Sequence, residues 1–169
     1  MREGHLRQVE RLLAQAAADR ERLLAQLPPE LRESLPVDAQ GVTRAIDHLA
    51  AAAGFSEDER RALIRPHAVN PAVLHARVFG SAPLARETVV GAFIDGARVR
   101  ADALAALADA IGGEALGREV RSLLTAHPLP AGAHEHGVPA TLRDTYAAHE
   151  RAAVMIAAHL DDRQLPRAN

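Results

Sequence analysis

The residues best suited to chemistry are three histidines: His134 and His136, two apart in a loop, and His149 on the helix after it. The loop, His127–Val138, contains Pro128, Pro130, Gly132 and Gly137, a composition that cannot continue a helix. In an extended backbone, residues i and i+2 point the same way, so the two imidazoles of His134-Glu135-His136 can face one centre. His149 would project toward that centre from the following helix, and His127 stands at the near end of the loop as a fourth group.

Two kinds of chemistry fit such a cluster. Imidazole nitrogens suit a divalent transition metal such as Zn, Fe, Ni or Cu, held here by His134, His136, His149 and His127. A catalytic metal would keep one position open for water and lower its pKa toward neutrality. Without metal, His149 can serve as a general base, with Tyr146 one turn away as donor to a developing anion. His159 stands apart, because ten helical residues rise about 15 Å. The competing reading of His149 is a core histidine whose ring nitrogens are satisfied by a carbonyl, a Tyr or an Asp.

The elements that must position these residues are helices. Leu142, Tyr146, His149, Ala153, Ile156 and Leu160 recur at steps of four and three, one face of an amphipathic helix over 139–163. Pro139 suits its first position. At the other end of the chain, Leu6, Val9, Leu13, Ala16, Arg20, Leu23 and Leu27 make a heptad seam over residues 1–27 that Pro28-Pro29 stops. Arg20 is its one polar break, and a polar seam residue can set register between paired copies. Packing within the chain is the other use of this face.

Between these ends lie shorter elements. A turn covers Glu30–Ser34. Asp38 caps a helix with stripe Val42, Ile46, Leu49 and Ala53 that ends at Gly54, and His48 sits beside the stripe. Ser56 with Glu59 forms a capping box, and Asn70-Pro71 opens a short helix closed at Gly80. Residues 83–111 form a long helix with Val90, Phe93, Ala97, Ala101, Leu104 and Ile111 inward, with Asp95, Arg98 and Asp102 outside. Gly91 and Gly96 interrupt it and mark a bend or a close contact. Gly112-Gly113 ends it, and Glu114–Ala126 follows with Leu116, Val120, Leu123 and His127 in line. No run alternates apolar and polar residues long enough for a strand. The expected fold is all-α: a single-domain bundle of six to seven helices.

Composition sets the outer bounds. The chain has 169 residues, 48% apolar but only 2% aromatic, so the core is built from Leu, Ala, Val and Ile. Such a core is thin, and self-association or a ligand can supplement it. The net charge of −2, with signs interspersed and few aromatics, argues against nucleic acid as a partner. The longest apolar run, Ala152–Ala158, is far short of a membrane span, and the charged N-terminus is unlike a signal peptide. A cytoplasmic location is the expectation. Cys is absent, which removes disulfides and thiolate metal sites. All twenty basic residues are Arg; this lysine-free, Ala-, Arg-, Gly- and Pro-rich usage matches a GC-rich, bacterial-like genome and excludes lysine-dependent catalysis.

No phosphate loop, HExxH, G-x-S-x-G elbow or bundle ExxH pair occurs. The leading expectation is a non-catalytic helical protein acting through its surfaces: regulatory, scaffolding or small-ligand-binding, and oligomeric through its helices or bound to a protein partner. The alternative is a histidine-dependent metalloprotein or enzyme at the His134/His136/His149 cluster. A small apolar ligand in a space opened by the Gly91/Gly96 bend is the third reading.

Overall fold

The computed structural model describes residues 4–25, 40–64, 86–130 and 138–164. They carry five helices and no strand: α1 (His5–Ala25), α2 (Gln40–Ala52), α3 (Glu57–Ile64), α4 (Arg86–Ala126) and α5 (Val138–Gln164). The expected count of six to seven helices is not reproduced among these residues. The turn at 30–34 and the helix at 70–80 lie outside them, and the expected break at Gly112-Gly113, with Glu114–Ala126 beyond it, falls inside the span of α4.

α4 is nevertheless two arms. Gly113 adopts φ +69° and ψ −160° inside it, a backbone region essentially confined to glycine. The first arm is closed by a cation, as the guanidinium of Arg163 in α5 donates through Nη1 to the Ile111 carbonyl. Across the bend, Arg121 Nη1 and Nη2 donate to Asp109 Oδ1 and Oδ2 at 2.8 and 2.5 Å. The hydrogen bonds from Arg121 hold the Asp109 carboxyl below its usual range. This bridge passes over Gly117, where a Cβ would collide with Asp109 Oδ1. Gly91 and Gly96, by contrast, lie in continuous helix, and Gly96 is buried. The bend expected there is not where the helix breaks, which is at Gly113.

α4 packs along α5, α1 and α2 pack on α5 and on each other, and α2 also meets α4. The core joins Val9, Ile46, Leu49, Leu104, Leu107, Val120 and Ile156, all fully buried. The first half of the α1 seam is spent inside the chain: Val9 is in the core, and Leu6 and Leu13 pack against it, while the expected seam positions Arg20, Leu23 and Leu27 lie outside the described side chains. At Gly41 the approach of α1 is close enough that a Cβ would stand 3.0 Å from that of Ala16 and 3.3 Å from Leu13 Cα. The N-terminus of α1 is capped from α5, since Asp161 accepts the backbone N–H groups of His5 and Leu6 at 2.7 and 2.9 Å. A carboxylate there satisfies donors that lack helical partners and complements the helix dipole. Gly54, at φ +91°, ends α2, and Ser56 Oγ accepts the Glu59 N–H at 3.1 Å to start α3. No helix among the described residues is long and apolar enough to cross a membrane.

Candidate functional site

All six stripe residues of α5 face inward: Leu142, Tyr146, His149, Ala153, Ile156 and Leu160 are at most 5% exposed. His149 therefore spends its position in the apolar seam between α5 and α4. Burial, with the nearby Arg100 guanidinium second, pulls its pKa from the ordinary 6.5 to about 4. The ring is neutral at physiological pH, offering one N–H donor and one lone pair. Its Nδ1 is shielded from solvent and has no hydrogen-bond partner among the described residues. A buried polar atom in that state is a standing cost of about 1–3 kcal/mol and marks either strain or function.

His149 also lines a cleft of about 300 Å³ between the two arms of α4 and α5. Ala101, Ala105, Leu124 and Leu129 are its apolar lining, and Asp102, Arg121, Thr125, His127 and Thr145 join His149 as its polar part. The Gly113 bend is what brings the second arm, and with it His127, over the same space as the first. His127 is half-buried just beyond the end of α4, and its Nε2 lies 3.0 Å from Arg151 Nη2. An arginine can only donate, so His127 Nε2 is the acceptor and its proton resides on Nδ1. Thr145, 1% exposed, fastens α5 to this corner. Its hydroxyl donates to Thr141 O at 2.9 Å, with the carbonyls of Pro128 and His127 at 3.4 and 3.5 Å.

Of the expected site residues, His127 and His149 thus border one cleft. His134 and His136 lie outside the described residues, so their part in a cluster stands as an expectation. Among the described residues no three His, Asp or Glu side chains are grouped to hold a metal. Tyr146 is buried one turn from His149, with ring centroids 6.3 Å apart and planes tilted by 53°. It lines a different groove, against Leu13, Ala14 and Ala17 of α1. Three helical residues leave the two side chains about 60° apart on the same face, enough for them to meet different neighbours.

Arg100 is the residue that sequence reasoning placed wrongly by omission. It is 7% exposed, with its guanidinium carbon 5.7 Å from the Tyr146 ring centroid, a cation–π distance. The inward stripe of the first arm runs Ala97–Arg100–Leu104, not through Ala101, which is half-buried at the cleft. The spacing of three and four was available; the charge argued against it. Thr145 carried a weaker signal, its place between Leu142 and His149. No known protein family, characterised protein or solved structure matches this sequence.

Proposed function

We propose that this chain is a small-ligand-binding helical protein whose site is the α4–α5 cleft bordered by His127, Thr145 and His149. One observation carries the reading: a neutral, buried imidazole stands at the wall of a space of ligand size. The volume falls at the lower end of the range for ligand sites. The fitting ligand is small and amphipathic, with an apolar body against Ala101, Ala105 and Leu124 and a group able to exchange a hydrogen bond with a neutral imidazole.

Ala105→Phe tests this by filling the cleft. Compounds that raise the melting temperature of the wild-type chain are expected to lose that effect in the variant, with helicity by circular dichroism unchanged. Stabilisation that persists in Ala105→Phe, or a diverse small-molecule screen without a single stabilising compound, would refute the reading.

A histidine-dependent metal or catalytic site is the second reading, favoured by His127 and His149 sharing the cleft. His134 and His136 follow its lining residue Leu129 within seven positions. Elemental analysis of tag-free protein, followed by a His134→Ala/His136→Ala variant, decides it. Self-association is a further proposal, and it would need faces other than Leu6 and Val9 of α1, which pack within the chain. Light scattering of the intact chain measures it.

A further inference from the structure

A second pair of imidazoles lies at the opposite corner of the molecule from the cleft, about 18 Å along α5 at the helical rise per residue. His5 begins α1 and His48 belongs to α2, and both are half-buried. Nδ1 of His5 is 3.0 Å from Nε2 of His48, with ring centroids 5.2 Å apart and planes tilted by 51°. Asp161 stands at the base of the pair, holding the backbone of His5 and Leu6, and Asp47 adds a second negative charge near His48.

We propose that His5 and His48 form a two-histidine site for a divalent transition metal of the Ni²⁺ or Cu²⁺ kind, pinning α1 to α2. The two nitrogens come from separate helices and lie within reach of one ion; a metal would displace the proton between them and sit off their line, with each ring turned toward it. At metal–nitrogen bonds of about 2.0–2.1 Å, nitrogens 3.0 Å apart subtend roughly 90° at the ion. That is the cis angle of tetragonal and octahedral centres, the geometries of Cu²⁺ and Ni²⁺. A tetrahedral zinc centre would want these atoms about 3.3 Å apart. Both oxygens of Asp161 are engaged by backbone N–H groups, so it acts through its charge, as does Asp47, offsetting the dication. This site shares no residue with the α4–α5 cleft.

Isothermal titration of the tag-free full chain with NiCl₂ is the direct test. One Ni²⁺ per chain is expected, and at about ten times its Kd the melting temperature rises by roughly 3–6 °C. His5→Ala and His48→Ala each abolish that binding event, and the milder His48→Gln does the same while preserving the helix content of the metal-free chain. Cu²⁺ binds more tightly than Ni²⁺ or Zn²⁺. The His134→Ala/His136→Ala variant retains the site, which separates it from any metal bound near the α4–α5 cleft. Saturable Ni²⁺ binding that survives substitution of His5 and His48, or no binding at millimolar Ni²⁺, overturns the proposal and leaves the pair a hydrogen bond between helices.

Discussion

His149 and His48 are the same residue in opposite surroundings, and the contrast explains what each can do. Around His149 burial and the Arg100 guanidinium both oppose protonation, and Nδ1 has no partner among the described residues. Every influence favours the neutral ring. His48 is also pushed down, by burial first and by His5 second, but Asp47 and Asp161 push it back up. It keeps a hydrogen-bonding neighbour and contact with water. One environment makes an imidazole a fixed neutral donor and acceptor; the other makes it a group that can trade its proton for a cation. The helix α5 supplies both settings, with His149 itself at one and Asp161 at the other.

A permanent charge at each position should break this symmetry most sharply. His149→Arg places a second guanidinium beside Arg100 in the apolar seam, and a loss on the order of 3–5 kcal/mol is expected, enough to unfold much of the population. His48→Arg, facing Asp47 and Asp161 at the edge of solvent, should cost within about 1 kcal/mol. Urea midpoints of the two variants measure the difference, and equal losses would show that the environments are alike.

The pH dependence of stability sharpens the same contrast. The folded-state pKa of His149 lies at about 4, below the roughly 6.5 of an unfolded chain. Above pH 6.5 neither state binds the proton and nothing is lost. As the pH falls from there toward 4, the unfolded chain takes up a proton that the folded chain refuses, so stability declines by about 3 kcal/mol. His48 is shifted in the same direction by an amount its exposure keeps smaller. His149→Leu, near in volume and unable to ionise, should flatten most of the decline between pH 6.5 and 4. A decline unchanged in that variant would mean that other groups carry it.

Next in size is the bend that builds the cleft side. Gly113 adopts a backbone conformation that a side chain strains, so Gly113→Ala should cost about 1–3 kcal/mol and move His127 away from His149. Gly117→Ala is the matched control. A Cβ there displaces only the ends of the Asp109 and Arg121 side chains, and replacing a helical glycine by alanine gains about 1 kcal/mol. Thermal melts of the pair should therefore move in opposite directions. No such substitution reaches the His5–His48 corner.

What the sequence disclosed follows the range over which its signals act. The α5 stripe was legible to the residue, because six apolar or amphipathic positions at steps of four and three admit one face only. The capping box at Ser56 and the stops at Gly54 and Gly113 are local chemistry and were equally readable. Arg100 was missed because an arginine among alanines reads as a solvated residue, and its burial against Tyr146 depends on a helix some forty positions away. The contact of His5 with Asp161 spans 156 residues, and His5 meets His48 only because α1 and α2 both lie on α5. No periodicity within one helix encodes that. The cleft was likewise expected at Gly91 and Gly96, yet Ala101, Ala105 and the second arm of α4 line it.

The smallest effect expected belongs to Asp161, and it distinguishes a cap from a core contact. Its two oxygens accept N–H groups of His5 and Leu6 that have no helical acceptor of their own. Asp161→Asn keeps one acceptor oxygen and loses the charge, replacing two charge-assisted bonds with one neutral one. A loss of about 1 kcal/mol is expected, confined to α1. Hydrogen exchange should register it as faster exchange at the amides of His5 and Leu6, with those of His149 and its neighbours in α5 unchanged. Because Asp161 contributes charge rather than a ligand atom to the His5–His48 pair, the same variant should weaken Ni²⁺ binding without abolishing it. Complete loss would instead make the carboxylate a direct ligand, and the pair a three-residue site.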